Sequence, residues 1–215
     1  MTIVAPGASP TELAAELAAY SRSLYELGWM PGTAGNLSVR FGDRALITAS
    51  GRNKGELTAD DMIEIWAESG APSRPGQPRP SAETCIHAAV YRTTDAAAVV
   101  HVHSPYATAV ARRNGLQTGL AILPLTRFEL LKGLGIADPS ATGVPIYANW
   151  ADVPRIAADV EEHLTAYPSA PPGLLITDHG ITTWGRDLSQ ARNRLECLES
   201  ICQVLMLTDF RGVPL

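Results

Sequence analysis

Cysteine is scarce. The chain of 215 residues has three, Cys85, Cys197 and Cys202. They form neither an even set nor a Cys-x-x-Cys pair, which argues against a disulfide framework or a thiolate zinc site and points to a reduced, cytoplasmic protein. No apolar run approaches the ~20 residues a membrane-spanning helix needs. Positive charge is also short: 17 Lys and Arg stand against 22 Asp and Glu, a net charge of −5. That leaves no electrostatic case for nucleic acid or an anionic membrane as partner. The opening "MTIVAPGASP" lacks the basic and apolar regions of a secretory signal. There is no internal repeat, low-complexity tract or Walker A loop. The glycine-rich turns do not follow a strand and open a helix, which disfavours a Rossmann unit. Histidine, too, occurs only five times.

What is present is an ordinary globular composition, 46% hydrophobic and 18% charged, enough for a substantial core. Ser9-Pro10-Thr11-Glu12 reads as a capped helix start, and Leu13, Leu17, Tyr20, Leu24 and Tyr25 continue a helical stripe to Gly28. "NLSVRF" and "RALITAS" flank Gly42-Asp43 as a hairpin, and "TADDMI" is a short helix leading into extended "IEIW". Residues 69–80 form a Pro/Gly-rich loop. Ser81 is expected to cap a helix over "AETCIHAAVYR", followed by a strand at 97–103 and a helix opened by Ser104-Pro105. Then come "LAILPL", a short helix "RFELLKGLG", strand "GVPIYA", a helix over about 153–166, and two short strands in "GLLITDHGITTWG". A long closing helix is capped by Asp187 or Ser189. Strands and helices interleave, so the fold class is α/β in a single domain.

Two of the five histidines lie one residue apart where the apolar run "AAVVHVHSP" ends. On a strand, positions i and i+2 face the same way, so His101 and His103 project together while Val102 is buried opposite. Paired imidazoles pack poorly in a core but suit a shared divalent cation. His179 in "TDHG" sits at another strand end and could be a third ligand, leaving one coordination position open for chemistry. Two hydrogen-bonded histidines without a metal explain the spacing equally well. His87 and His163 fall on helical patterns and read as ordinary, partly exposed residues.

Three turn segments, "GTAGNLS" (32–38), "TASGRNKG" (48–55) and "PSAE" (80–83), offer backbone N–H groups, amides and hydroxyls, with the Lys54 charge among them. Each alone is a plain turn; three beside a metal site suggest a phosphorylated small substrate. Glu83 falls in a helix's first turn, where the dipole explains it. Glu129 stands three residues before Lys132, a spacing that often marks a surface ion pair. The residues alone choose neither as a catalytic base.

"AGNLS", "ITASG", "RPSAE", "HVHS" and "DHG", in this order and spacing, resemble the class II sugar-phosphate aldolase family from about Glu12 to Leu207. The resemblance implies a three-layer α/β/α domain, residues 1–215 with its core at about 12–207, around a mostly antiparallel sheet. It implies one zinc ion per subunit held by His101, His103 and His179, and a homotetramer with active sites at subunit boundaries. Gly35, Asn36, Ser50, Gly51, Lys54 and Ser81 become the phosphate contacts. Aldolases of the family use tyrosines, yet no tyrosine occurs between Tyr106 and Tyr147 or after Tyr167. "LPLTRFELLKGLG" is instead similar to the methylthioribulose-1-phosphate dehydratase branch, which makes Glu129 the acid/base. That branch implies zinc-assisted dehydration of a phosphorylated ketose in methionine salvage. Ala82 stands where aldolases commonly have a second serine. Glu83 matches their catalytic acid, whereas some dehydratases carry cysteine there. An aldolase or pentulose-phosphate 4-epimerase is the alternative, with Glu83 as a second catalytic residue.

Overall fold

The structure is a computed structural model, and it describes residues 8–209. The opening "MTIVAPGASP", read above as lacking a secretory signal, lies mostly outside them. Helix α1, Pro10–Glu26, starts as its sequence demands: the Ser9 backbone N–H donates to Glu12 Oε2 at 2.6 Å and the Glu12 N–H to Ser9 Oγ at 3.3 Å, a reciprocal capping box. Its stripe buries Leu13, Leu17 and Leu24, whereas Tyr25, one step off that line, is exposed. Strands β1 (Asn36–Phe41) and β2 (Arg44–Thr48) form the expected hairpin, and β3 (Met62–Trp66) follows two 3₁₀ turns, Lys54–Glu56 and Ala59–Asp61. Then come α2 (Thr84–Thr93), β4 (Ala98–Val102), α3 (Pro105–Asn114), β5 (Leu120–Thr126), β6 (Ala141–Tyr147), α4 (Val153–Ala166), β7 (Gly173–Ile176), β8 (Gly180–Gly185) and α5 (Leu188–Asp209).

The eight strands form one sheet in the order β3-β2-β1-β4-β8-β7-β6-β5. It is mixed, with one parallel pair in an otherwise antiparallel sheet. β6 and β7 pair in parallel through Ile146–Leu175 and Tyr147–Ile176, because α4 is a crossover helix that returns the chain to the same end of the sheet. The other neighbouring pairs are antiparallel. Alternation along the strands divides the core in two. Leu37, Val39, Val100, Val102 and Ile181 pack under α1, α3 and α5, while Ile47, Ile63, Val99, Leu174 and Trp184 pack under α2 and α4. Among the described residues no helix is long and apolar enough to cross a membrane.

Two helix starts differ from the sequence reading. α2 begins at Thr84 with Glu83 as its N-cap, later than a Ser81 cap requires, because Ser81 closes its own turn: its carbonyl accepts from Thr84 Oγ1 at 2.6 Å. At α3, Ser104 occupies the N-cap position but makes no cap bond itself. It donates from Oγ to Glu199 Oε2 at 2.7 Å, and the buried Glu199 carboxylate accepts from Tyr106 N at 3.0 Å and Ala107 N at 2.8 Å. A carboxylate from α5 thus caps α3 directly behind His103. Replacing it by Glu199→Leu leaves three buried donors unpaired and should cost about 3 kcal/mol. Urea unfolding of that variant beside Glu199→Gln, which keeps one acceptor oxygen and should lose less, checks this.

Candidate metal centre and phosphate loops

His101 lies in the middle of the sheet, paired in register with Asn36 on β1 and Thr182 on β8. It shares a face with Val99, the face under α2. His103 lies one residue beyond β4, its backbone N–H held by the Trp29 carbonyl at 2.9 Å. His179 is set by the turn between β7 and β8. Asp178 adopts a left-handed φ of 57° and accepts from Arg112 Nη1 at 2.9 Å. Gly180 then lets β8 press against β4: a Cβ there would stand 2.2 Å from the Val102 carbonyl oxygen. "DHG" is therefore a steric requirement for bringing His179 to the other two histidines.

The three rings converge with centroids 5.0, 5.0 and 4.6 Å apart, each pair set edge to face. Glu83 joins them from the α2 N-cap, with Oε1 2.7 Å from His179 Nε2 and Oε2 3.3 Å from His101 Nε2. One ligand atom from each of the four lies within 4.8 Å of the rest, a group that could hold a metal ion. The hydrogen bonds fit that use. His101 Nδ1 is 2.9 Å from Thr182 Oγ1, while its buried Nε2 has no hydrogen-bond partner. His179 Nδ1 donates to Asn149 Oδ1 at 3.3 Å, which leaves its Nε2 facing the cluster. His101 is thus anchored through one nitrogen and presents the other, as metal-bound imidazoles require, while His179 holds Asn149 through Nδ1 and meets Glu83 through Nε2.

Burial pushes the His101 imidazole down against the opposing pull of Glu83. Burial, with His101 and His179 alongside, takes His103 to about 3. Both are thus poised as neutral ligands. Burial works against a charged Glu83, but His101, His179 and the Asn36 amide outweigh it and hold the carboxyl well below the ordinary carboxylate range.

The three turn segments come together beside this group. Lys54, 2% exposed, donates from Nζ to the Thr33 carbonyl at 2.7 Å and the Arg52 carbonyl at 2.9 Å, tying the first two loops to one ammonium. Burial lowers its pKa and nearby Glu83 opposes the shift. Ser50 N donates to the Arg79 carbonyl at 3.0 Å and Ala49 bridges Pro80, which adds the third loop. Gly35 has φ +78° and no room for a Cβ, which would lie 3.0 Å from the His101 carbonyl oxygen. Ser50 and Gly51 are exposed, and Ser81 Oγ accepts from Glu83 N at 3.3 Å. Asn36 is committed elsewhere: Nδ2 donates to Glu83 Oε2 at 2.5 Å and Oδ1 lies 2.6 Å from His87 Nε2.

Glu129 stands apart. It opens a 3₁₀ segment, its side chain is 78% exposed, and it bonds Lys132 Nζ at 2.8 Å, the surface pair its spacing suggested. His163 is half-buried against the rings of Tyr147 and Tyr167. His87 overturns the expectation of a partly exposed residue. It is wholly buried, because α2 lies flat on the sheet and turns this face inward, and its pKa falls to about 3 through that burial. Sequence reasoning missed His87, Asn149 and Thr182. The spacing of four in Glu83, His87 and Tyr91 was the available signal for His87, since it aligns one helix face.

Thr182→Val removes the His101 anchor at nearly constant volume. Metal affinity, measured by chelator competition, should fall about 10–100-fold with the fold retained. In metal-free protein His87 and His103 take up protons on unfolding, from about 3 when folded towards 6.5 when unfolded. The unfolded state then binds more protons in this window, so stability is held above it and lost as pH falls through it. Urea midpoints between pH 7 and pH 5 should decline accordingly.

The model of the class II aldolase and adducin N-terminal domain family matches residues 15–206. A probable bifunctional methylthioribose-1-phosphate isomerase/methylthioribulose-1-phosphate dehydratase of Nocardia farcinica is 57% identical over 206 residues, covering 95% of this chain and 37% of that protein. This chain therefore spans little more than a third of that relative. The methylthioribulose-1-phosphate dehydratase of Microcystis aeruginosa is 42% identical over 88% of this chain and 93% of its own length. Among solved structures, an L-fuculose 1-phosphate aldolase superimposes with a TM-score of 0.77 at 26% identity, covering 97% of this chain and 91% of that one. The L-fuculose-1-phosphate aldolase of Thermus thermophilus gives 0.73 at 27% identity, covering 96% and 100%. This chain belongs to the class II aldolase and adducin N-terminal domain family.

Proposed function

We propose that this chain is a zinc-dependent hydro-lyase that dehydrates 5-methylthioribulose 1-phosphate to 2,3-diketo-5-methylthiopentyl 1-phosphate, a step of methionine salvage. The observation that carries the reading is the convergence of His101, His103 and His179 with Glu83 within 4.8 Å, beside loops stapled by a buried lysine. The names of the relatives in Nocardia farcinica and Microcystis aeruginosa support the substrate. His101, His103 and His179 would hold one zinc ion per subunit. Bound there, the ion would supply Lewis acidity to the substrate's ketone and adjoining hydroxyl.

The chain's own groups do the rest. Gly35, Ser50, Gly51, Lys54 and Ser81 would hold the phosphate, with Asn36 at the boundary between that pocket and the metal ligands. Lys54 spends two of its three N–H donors on carbonyls and keeps one for the anion. Glu129 takes the C3 proton and returns one to the departing C4 hydroxyl. The C3–H and C4–O bonds break, water leaves, and the C3–C4 enol tautomerises to the diketone. Glu129 is exposed and paired with Lys132 on its own chain, and in the proposed homotetramer it would serve a neighbouring subunit's centre. Glu83 is the second catalytic carboxylate, seated against His179. Residues 1–215 are proposed to form one domain, supported by the match over 15–206. A reduced cytoplasmic setting suits three free cysteines.

The alternative, cleavage or epimerisation of a sugar phosphate, is favoured by Glu83 within the cluster and by the aldolase neighbours. Zinc-loaded protein incubated with methylthioribulose 1-phosphate should develop diketone absorbance with loss of one water. Release of an aldehyde and dihydroxyacetone phosphate would make it an aldolase instead. Glu129→Gln should lower kcat about 100-fold or more with zinc content intact; near-normal turnover would shift the role to Glu83.

A further inference from the structure

Behind Glu83 lies a buried hydrogen-bond chain whose members beyond Asn36 have no role above. Asn36 Nδ2 donates to Glu83 Oε2 at 2.5 Å, so its Oδ1 is turned toward His87 Nε2, 2.6 Å away. An amide oxygen only accepts, so His87 Nε2 must carry the proton. Fully buried among neutral partners, the ring is neutral, and Nδ1 is then an acceptor for Ser38 Oγ at 2.7 Å. Ser38 Oγ in turn accepts from the buried Tyr91 hydroxyl at 2.6 Å. Every donor in Tyr91–Ser38–His87–Asn36 therefore points one way, and the series ends on the Glu83 carboxylate.

The polarity has a consequence. Asn36 could otherwise rotate its amide by half a turn and set a carbonyl oxygen against the Glu83 carboxylate. With His87 in its Nε2–H form, that rotation would oppose two donors at His87 and two acceptors at Glu83, leaving buried groups unpaired at both ends. Glu83 and His87 are four residues apart, on one face of α2, and Asn36 lies opposite His101 in the β1–β4 ladder. The helix and the sheet are thus joined through one amide whose orientation the imidazole sets.

We propose that His87 is a positioning residue for the reaction: as its Nε2–H tautomer it latches the Asn36 amide so that Glu83 stays aimed between His101 and His179. It touches neither substrate nor metal. This rests on the reading of Glu83 as a catalytic carboxylate, although the latch itself can be tested without turnover.

The experiment combines two readouts. Nitrogen NMR of the wild-type protein should show His87 with a protonated Nε2 and an unprotonated Nδ1; the opposite tautomer, or a doubly protonated ring, overturns the latch. In zinc-loaded variants, His87→Leu should lower kcat about 100-fold through misplacement of Glu83, with KM and bound zinc unchanged. His87→Gln, which offers an N–H where Nε2 lay, should recover most of that loss. Undiminished kcat in His87→Leu, or equal losses in the two variants with zinc retained, overturns the positioning role. If the wild type fails to dehydrate methylthioribulose 1-phosphate, the proposed function falls while the tautomer measurement still decides the latch.

Discussion

The site depends on how closely β8 runs beside β4. His101 faces Thr182 across that ladder, and Gly180 passes the Val102 carbonyl with no space for a side chain. This approach places His179, which follows β7, within ring contact of two histidines 76 and 78 residues earlier in the chain. The turn before it uses a left-handed aspartate held by an arginine on α3, so the position of His179 is set from both sides of the turn. Separate the strands by the width of a methyl group and the centre is lost.

Around that contact a negative and a positive side chain lie close together, Glu83 and Lys54. Burial favours neutral His101 and His103, while Glu83 stays charged against its own burial because two imidazoles and an amide surround it. Lys54 is the counterpart. It is nearly inaccessible, yet its ammonium is bonded to two loop carbonyls and feels Glu83. One buried positive group organises the glycine loops, and one part-buried negative group closes the imidazole cluster. Both are held by hydrogen bonds, as buried charges must be.

The helices add precision where the strands give placement. α2 carries Glu83 at its cap and His87 and Tyr91 on the same face, so one element delivers the carboxylate and its support. α5 lends Glu199 to cap α3, fixing the chain immediately after His103. The β6–β7 parallel pair, produced by the α4 crossover, sets Asn149 near His179 at the far side of the centre.

Much was legible in the chain because it was local. Strand periodicity put His101 and His103 on one face, capping residues located α1, and Gly42-Asp43 announced the hairpin. The ordered motifs carried the family, and two of their glycines, Gly35 and Gly180, sit at contacts with no room for a Cβ. Other features were decided only by tertiary structure, since their partners are distant in sequence. A helical pattern cannot tell that His87 meets Asn36 and Ser38 on a strand about fifty residues earlier, so its full burial was invisible. Ser81 looked like a cap until its carbonyl was taken by Thr84, and the parallel strand pair followed from the crossover path of α4. Sequence determined which groups could bind an ion; the folded sheet decided where their free nitrogens meet, because only cross-strand register brings residues 36, 101 and 182 into one row.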